Sequence, residues 1–150
     1  MAGRPTLWGA GQLLYSFFSK TAEPPPNFYL TLVRDIQPNP YVAGSELDEP
    51  TVEEGFQRAV LPNNSDVWGD LEAGTLHLVG NETTVEFITA TQDLGTFRYW
   101  ALCNAEVDGY VYFYGELEEP MLIATGDQPV LEAGELVIEL GPFFLDELED

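Results

Sequence analysis

ALCNAEVDGYVYFYGELEEP, residues 101–120, is the stretch whose reading decides the fold. Asp108-Gly109 is a dipeptide favoured in two-residue hairpin turns, where both central positions need φ > 0. It predicts that residues 96–104 and 110–116 are antiparallel neighbours joined by a tight turn. With side chains alternating along the second strand, Tyr110, Tyr112 and Tyr114 fall on one face and Val111 and Phe113 on the other. The side of Val111 and Phe113 is then core. The tyrosine side is amphipathic and suits a subunit contact or a partly covered sheet surface.

Working outward, the same grammar repeats. Short strand-like runs occur at 28–33 (FYLTLV), 56–61 (FQRAVL), 75–79 (TLHLV), 84–89 (TVEFIT), 96–103, 110–116, 121–125 (MLIAT) and 135–140 (ELVIEL), with Gly, Asn, Asp and Pro in nearly every gap. No strand–helix–strand alternation supports a parallel sheet. The expected fold is therefore mostly β, an antiparallel β-sandwich (immunoglobulin-like or jelly-roll-like) of about eight strands with a short N-terminal helix. The helix is expected at 6–19, capped by Thr6, with Leu7, Leu14, Phe17 and Phe18 near one face. Gly9 and Gly11 weaken it by about 1 kcal/mol each relative to Ala, so it must pack on something. The prolines of EPPP at 23–26 stop it. Residues 34–55 show no period and hold five acids in ELDEPTVEE at 46–54, which marks a long loop. The expected organisation is an arm at 1–26, the sandwich at 27–141 and an acidic tail at 142–150.

Charge narrows the function. The 150 residues carry 26 acids against five bases, a formal net charge of −21. Such a surface repels phosphate backbones and anionic membranes, so neither nucleic acid nor membrane is expected as a partner. The hydrophobic content of 45% is that of a globular chain, so the charge does not signal disorder. Nothing approaches the ~18 continuous apolar residues of a membrane span. The opening MAGRPTLWGAGQLLYSFFSK lacks the pattern of a signal peptide, and NNS at 63–65 and NET at 81–83 then match a glycosylation pattern by chance.

The inventory of reactive groups is short. Cys103 is the only cysteine and lies in an apolar strand pattern, where a buried, inert thiol is expected. His77 is the only histidine, which excludes a histidine pair, and no nucleophile elbow, P-loop or dinucleotide fingerprint occurs. The carboxylates cluster in loop and tail segments without the apolar walls that a catalytic pair needs. Catalytic residues and cofactors are therefore none. Glu46 and Asp48 have the alternating spacing of a calcium loop, but Pro50 stands where a third ligand belongs. That leaves weak surface cation binding as the only metal expectation and no metal site to assign. A carbohydrate-binding module is the alternative that Trp8, Trp68, Trp100 and the tyrosines raise, although Trp100 shares a strand face with Arg98 and Leu102 and is expected in the core or at an interface.

The order of blocks resembles a family of small tailed-bacteriophage virion proteins of the minor tail, tail fibre or head decoration type. The matching blocks are the helix ending LYSFF with its proline step and FYLTLV, the pair EP at 49–50 with FQRAVLP at 56–62, NETTVEFITATQDLGTFRYWALCNAEVDGYVYFYGELEEP at 81–120, and GDQPVLEAGELVIEL at 126–140. Leu94-Gly95 replaces that family's Trp-Gly step, and the acid content is high for it. The resemblance implies a non-enzymatic structural component of a virion that binds other virion proteins and copies of itself, in the tail, neck or fibre, with a capsid decoration role as the alternative. On this reading the interface is expected at Leu14, Phe17, Phe18, Tyr110, Tyr112, Tyr114, Phe143, Phe144 and Leu145. The helix and the Phe143–Leu145 tail act as arms.

Overall fold

The computed structural model describes residues 3–69 and 78–140. In chain order the elements are β1 (Arg4–Pro5), α1 (Leu7–Phe18), β2 (Asn27–Val33), β3 (Ala59–Pro62), β4 (Trp68–Gly69), β5 (Leu78–Asn81), β6 (Val85–Glu86), β7 (Gly95–Cys103), β8 (Val111–Ile123), β9 (Val130–Leu131) and β10 (Val137–Glu139). The main sheet has the order β1-β8-β7-β2-β3, antiparallel throughout. A second sheet, β10-β5-β4, and the pair β6-β9 complete a sandwich-like arrangement. Gly3 ties the two larger sheets together: it forms a parallel bridge with Ile138, donating to Val137 and accepting from Glu139.

The main core lies on one side of the large sheet. Leu30, Leu32, Phe97, Trp100, Leu102 and Phe113 meet Val85, Phe87, Leu131, Leu136 and Ile138 there. Trp100 is in the core, one of the two places expected of it. Asn81 is fully buried, donates to the Thr83 and Glu132 carbonyls and accepts from the Gly134 and Leu136 amides. The NET pattern therefore begins on a side chain with no room for a sugar.

The other side of the large sheet carries Val33, Ala101, Cys103, Val111 and Tyr114, with Val42 and Leu47 packed on them. The long loop at 34–58 is thus a cover for the sheet's second face. It contains two single turns of 3₁₀-helix, Gly44–Glu46 and Val52–Glu54. Burial on both faces explains why β2 reads as almost continuously apolar. The Cys103 thiol is enclosed on this side, and burial pushes its pKa up to about 12.

Four expectations need correction. Asp108 and Gly109 do take positive φ, 54° and 70°. The connection is longer than a two-residue turn, however, because Asn104 donates to the Tyr110 carbonyl and Cys103 pairs with Val111 across residues 104–110. The alternation predicted for 110–116 also fails. Leu102 pairs with Phe113 while Cys103 pairs with Val111, so Tyr112 is the extra residue of a β-bulge. The bulge puts Val111 and Tyr114 on the loop-covered face, and Tyr112 and Phe113 on the main-core face. The runs at 110–116 and 121–125 are one strand, β8. Pairing jumps from Tyr99–Glu116 to Phe97–Met121, so Pro120 sits where the ladder to β7 is interrupted and costs no hydrogen bond. The runs at 56–61 and 84–89 shorten to β3 and β6, since Phe56 and Arg58 turn inward before β3 starts.

Candidate functional site

The N-terminal segment builds the surface that stands out. Thr6 caps α1: its hydroxyl oxygen accepts from the Gly9 amide at 2.9 Å and its hydroxyl donates to the Val111 carbonyl. Its own amide donates to the Tyr112 carbonyl at 3.0 Å, and the Leu7 amide donates to Pro40 at 2.9 Å. Thr6 therefore joins the helix start to β8, and Leu7 joins it to the sheet's covering loop.

Gly9 is the residue on which the helix rests. It is the buried residue of α1, and a Cβ at that position would run into the Tyr112 carbonyl. The glycine that weakens the isolated helix is what lets it lie against β8. Beside it, Trp8 stacks on Tyr110 with centroids 4.7 Å apart and an interplanar angle of 11°, and meets Tyr112 at 4.8 Å. Tyr112 continues edge-on to Phe28 at 5.4 Å, and Phe28 to Trp68 at 5.8 Å.

Most of the large apolar side chains of α1 face solvent. Leu7, Leu14 and Tyr15 are more than half exposed, and Phe17 and Phe18 are each 78% exposed, touching one another edge-on. No charged residue occurs from 7 to 18, in a chain of net charge −21. Single exposed apolar residues are ordinary on a protein surface. Leu7, Leu14, Phe17 and Phe18 form an uncharged, exposed row along the helix.

The residues expected at the interface thus separate. Leu14, Phe17 and Phe18 lie on the exposed helix, and Tyr110 and Tyr112 are joined to its base through Trp8. Tyr114 is buried on the opposite face of the large sheet. Phe143, Phe144 and Leu145 lie outside the described residues, as does His77. Trp8 and Gly9 were missed. Their signal was present in the sequence: a tryptophan and a glycine adjacent in the first turn of a helix that needs a surface to lie on.

The acidic loop is employed inward. Arg58, 4% exposed, is held by Glu49 through two nitrogens and by the carbonyls of Ala105 (2.8 Å), Asp108 (3.0 Å) and Gly44 (3.4 Å). Burial disfavours the charge, but Glu49 together with Cys103 and Asp108 more than offsets this, and the guanidinium pKa is held above its ordinary value. Glu49 also accepts from the Thr31 hydroxyl on β2. Glu46 accepts from the Ala43 amide, and Asp48 from those of Asp35 and Ile36. Hydrogen bonding from the Thr51 amide, with Arg34 at 3.1 Å, holds Glu54 below the usual carboxylate range. Glu46 and Asp48 are thus committed to backbone amides, and among the described residues no group of three or more His, Cys, Asp or Glu is placed to hold a metal.

The open depression of about 570 Å³ beside this loop is lined by Arg58 together with loop residues such as Glu49 and Phe56 and with residues 106–108. A guanidinium so fully engaged offers no free donor to a substrate. Among the described residues, no helix is long and apolar enough to cross a membrane.

Comparison with known proteins gives one family. Residues 6–139 match the model of the family described as podophage GP4 fibre I protein gp80, which spans the helix, the covering loop and all strands from β2 to β10. No curated protein matches the chain.

Proposed function

The chain belongs to the podophage GP4 fibre I protein family, and from that premise we propose that it is a non-enzymatic structural part of a tailed-phage virion, attached through the outward face of α1. The observation that carries the reading is the exposed, uncharged row of Leu7, Leu14, Phe17 and Phe18, set on a helix that is itself fastened to the sheet through Thr6, Gly9 and Trp8. A rigid sandwich at 27–141 presents the row, with residues 1–26 as the contact arm and 142–150 as an acidic tail. The partners are neighbouring virion proteins and further copies of this chain. Repetition by symmetry multiplies contacts that are individually weak into firm attachment. The acidic surface discourages adsorption to nucleic acid and anionic membranes, leaving the uncharged row as the adhesive part.

Cryo-electron microscopy of intact particles from the source tests this. Density for the chain in fibres, tail or neck, with α1 buried against a neighbour, is the expected result. Density over the capsid lattice would make it a decoration protein, and absence from particles would overturn the virion role.

A further inference from the structure

We infer that the depression between the 3₁₀ turn Val52–Glu54 and residues 106–108 is a docking site for a basic segment of another protein, an apolar side chain flanked by lysine or arginine. This contact is separate from the outward face of α1. The depression, about 570 Å³, is shaped by bonds the chain makes to itself. On one side Thr51 and Glu54 each accept from the other's backbone amide. On the other, Arg58 holds the carbonyls of Ala105 and Asp108, and its pairing with Glu49 ties the two sides together. Phe56 is buried between them, stacked on Phe87 and Phe97. A shape fixed in advance costs a partner little ordering.

Apolar exposure and charge together select the occupant. Val52 and Val107 line the depression more than half exposed, and Ile88 beside them is nearly half exposed. The three come from separate segments, so the fold and not one run of sequence assembles this apolar contact. Glu53 and Glu106 line the same space and are exposed. Among the described residues their carboxylates have no partner, whereas Glu46, Asp48, Glu49 and Glu54 are all engaged. Cations on either side of an apolar side chain complement that pattern. A second copy of this chain does not offer them. Of its five bases, Arg34, Arg58 and Arg98 are already paired with Glu54, Glu49 and Asp35. Arg4 and Lys20 are separated by the 12 residues of α1, roughly 18 Å of helix. The partner is therefore a different, basic chain.

Nuclear magnetic resonance titration of the isolated full chain tests this, so the result is independent of the virion role. The probe is the synthetic peptide acetyl-Gly-Arg-Leu-Arg-Gly-amide, with a serine-centred and a glutamate-flanked peptide as controls. Backbone amides of residues 44–58, 88 and 106–108 should shift with the probe. Each control should bind about threefold or more weakly, because one lacks the apolar contact and the other the charged one. Glu53→Gln with Glu106→Gln, and separately Val52→Ser with Val107→Ser, should each weaken the probe by a similar factor. All four positions are exposed, so the rest of the spectrum should stay that of the folded chain. Absence of shifts at these amides would overturn the inference. So would a serine-centred peptide or spermidine that binds as well as the probe, which would leave an acidic patch alone. Shifts at these amides that follow protein concentration without peptide would also overturn it, giving the depression to a second copy.

Discussion

Two regions of this molecule use their residues the opposite way round. The loop at 34–58 is strongly acidic, yet Glu46, Asp48, Glu49 and Glu54 are spent on the loop's own amides and on Arg34 and Arg58. Helix α1 is apolar, yet most of its large side chains face solvent. In the loop, charge does the holding; on the helix, apolar side chains are left at the surface. Charge in that loop therefore does not mark the outward surface, and hydrophobicity on that helix does not mark the core.

The sharpest way to break that comparison is to cut the loop's charge pair. Arg58→Ala leaves Glu49 beside Thr31 without its cation, and removing one partner of a buried pair costs about 3–5 kcal/mol. Denaturant unfolding should show a loss of that size. A loss below about 1 kcal/mol, the range of exposed pairs, would mean that the loop is not latched.

The helix end responds next. Gly9→Val sets a side chain against the Tyr112 carbonyl, and forcing atoms into a packed contact costs about 1–3 kcal/mol. The stacking of Trp8 on Tyr110 should loosen with it, shifting tryptophan emission to the red. Unchanged emission would show that α1 does not rest on Gly9.

Cys103 reports on whether the loop seals the second face of the sheet. The unfolded thiol titrates near its ordinary value of about 8.5, while the folded one is raised to about 12. Between those values the unfolded chain has lost a proton that the folded chain keeps. The thiol's contribution is full below the ordinary value and falls as pH rises, by up to about 1.4 kcal/mol per pH unit. Cys103→Ala removes this component, so its stability should decline less steeply than the wild type's above pH ~9. Parallel curves would mean that water reaches the thiol.

Much of the fold was legible in local pattern. Thr6 as cap, the apolar runs of β2 and β7, and positive φ at Asp108-Gly109 all follow from single residues or short periods. The bulge at Tyr112 does not, because it is set by how Leu102 and Cys103 pair across the sheet. Once the bulge shifts the period, Tyr114 turns inward, and the tyrosine face read from the sequence no longer exists. The unbroken β8 across Pro120 was hidden for the same reason: the interrupted ladder belongs to its partner strand. Arg58 within FQRAVL was the visible sign of a buried charge, since an arginine in an apolar run near an acidic loop needs a carboxylate. At the site, Leu14, Phe17 and Phe18 were legible as an apolar helical row and are exposed, while the parts that fix the helix in place were not legible.

The central claim is that the outward face of α1 serves attachment and not folding. The triple variant Leu14→Ser, Phe17→Ser, Phe18→Ser tests it most directly, with thermal unfolding and incorporation into particles measured on the same protein. Exposed substitutions usually change stability by no more than about 0.5 kcal/mol, so the variant should unfold as the wild type does and yet be missing from purified virions. A variant that unfolds normally and is incorporated at the wild-type level would contradict the account.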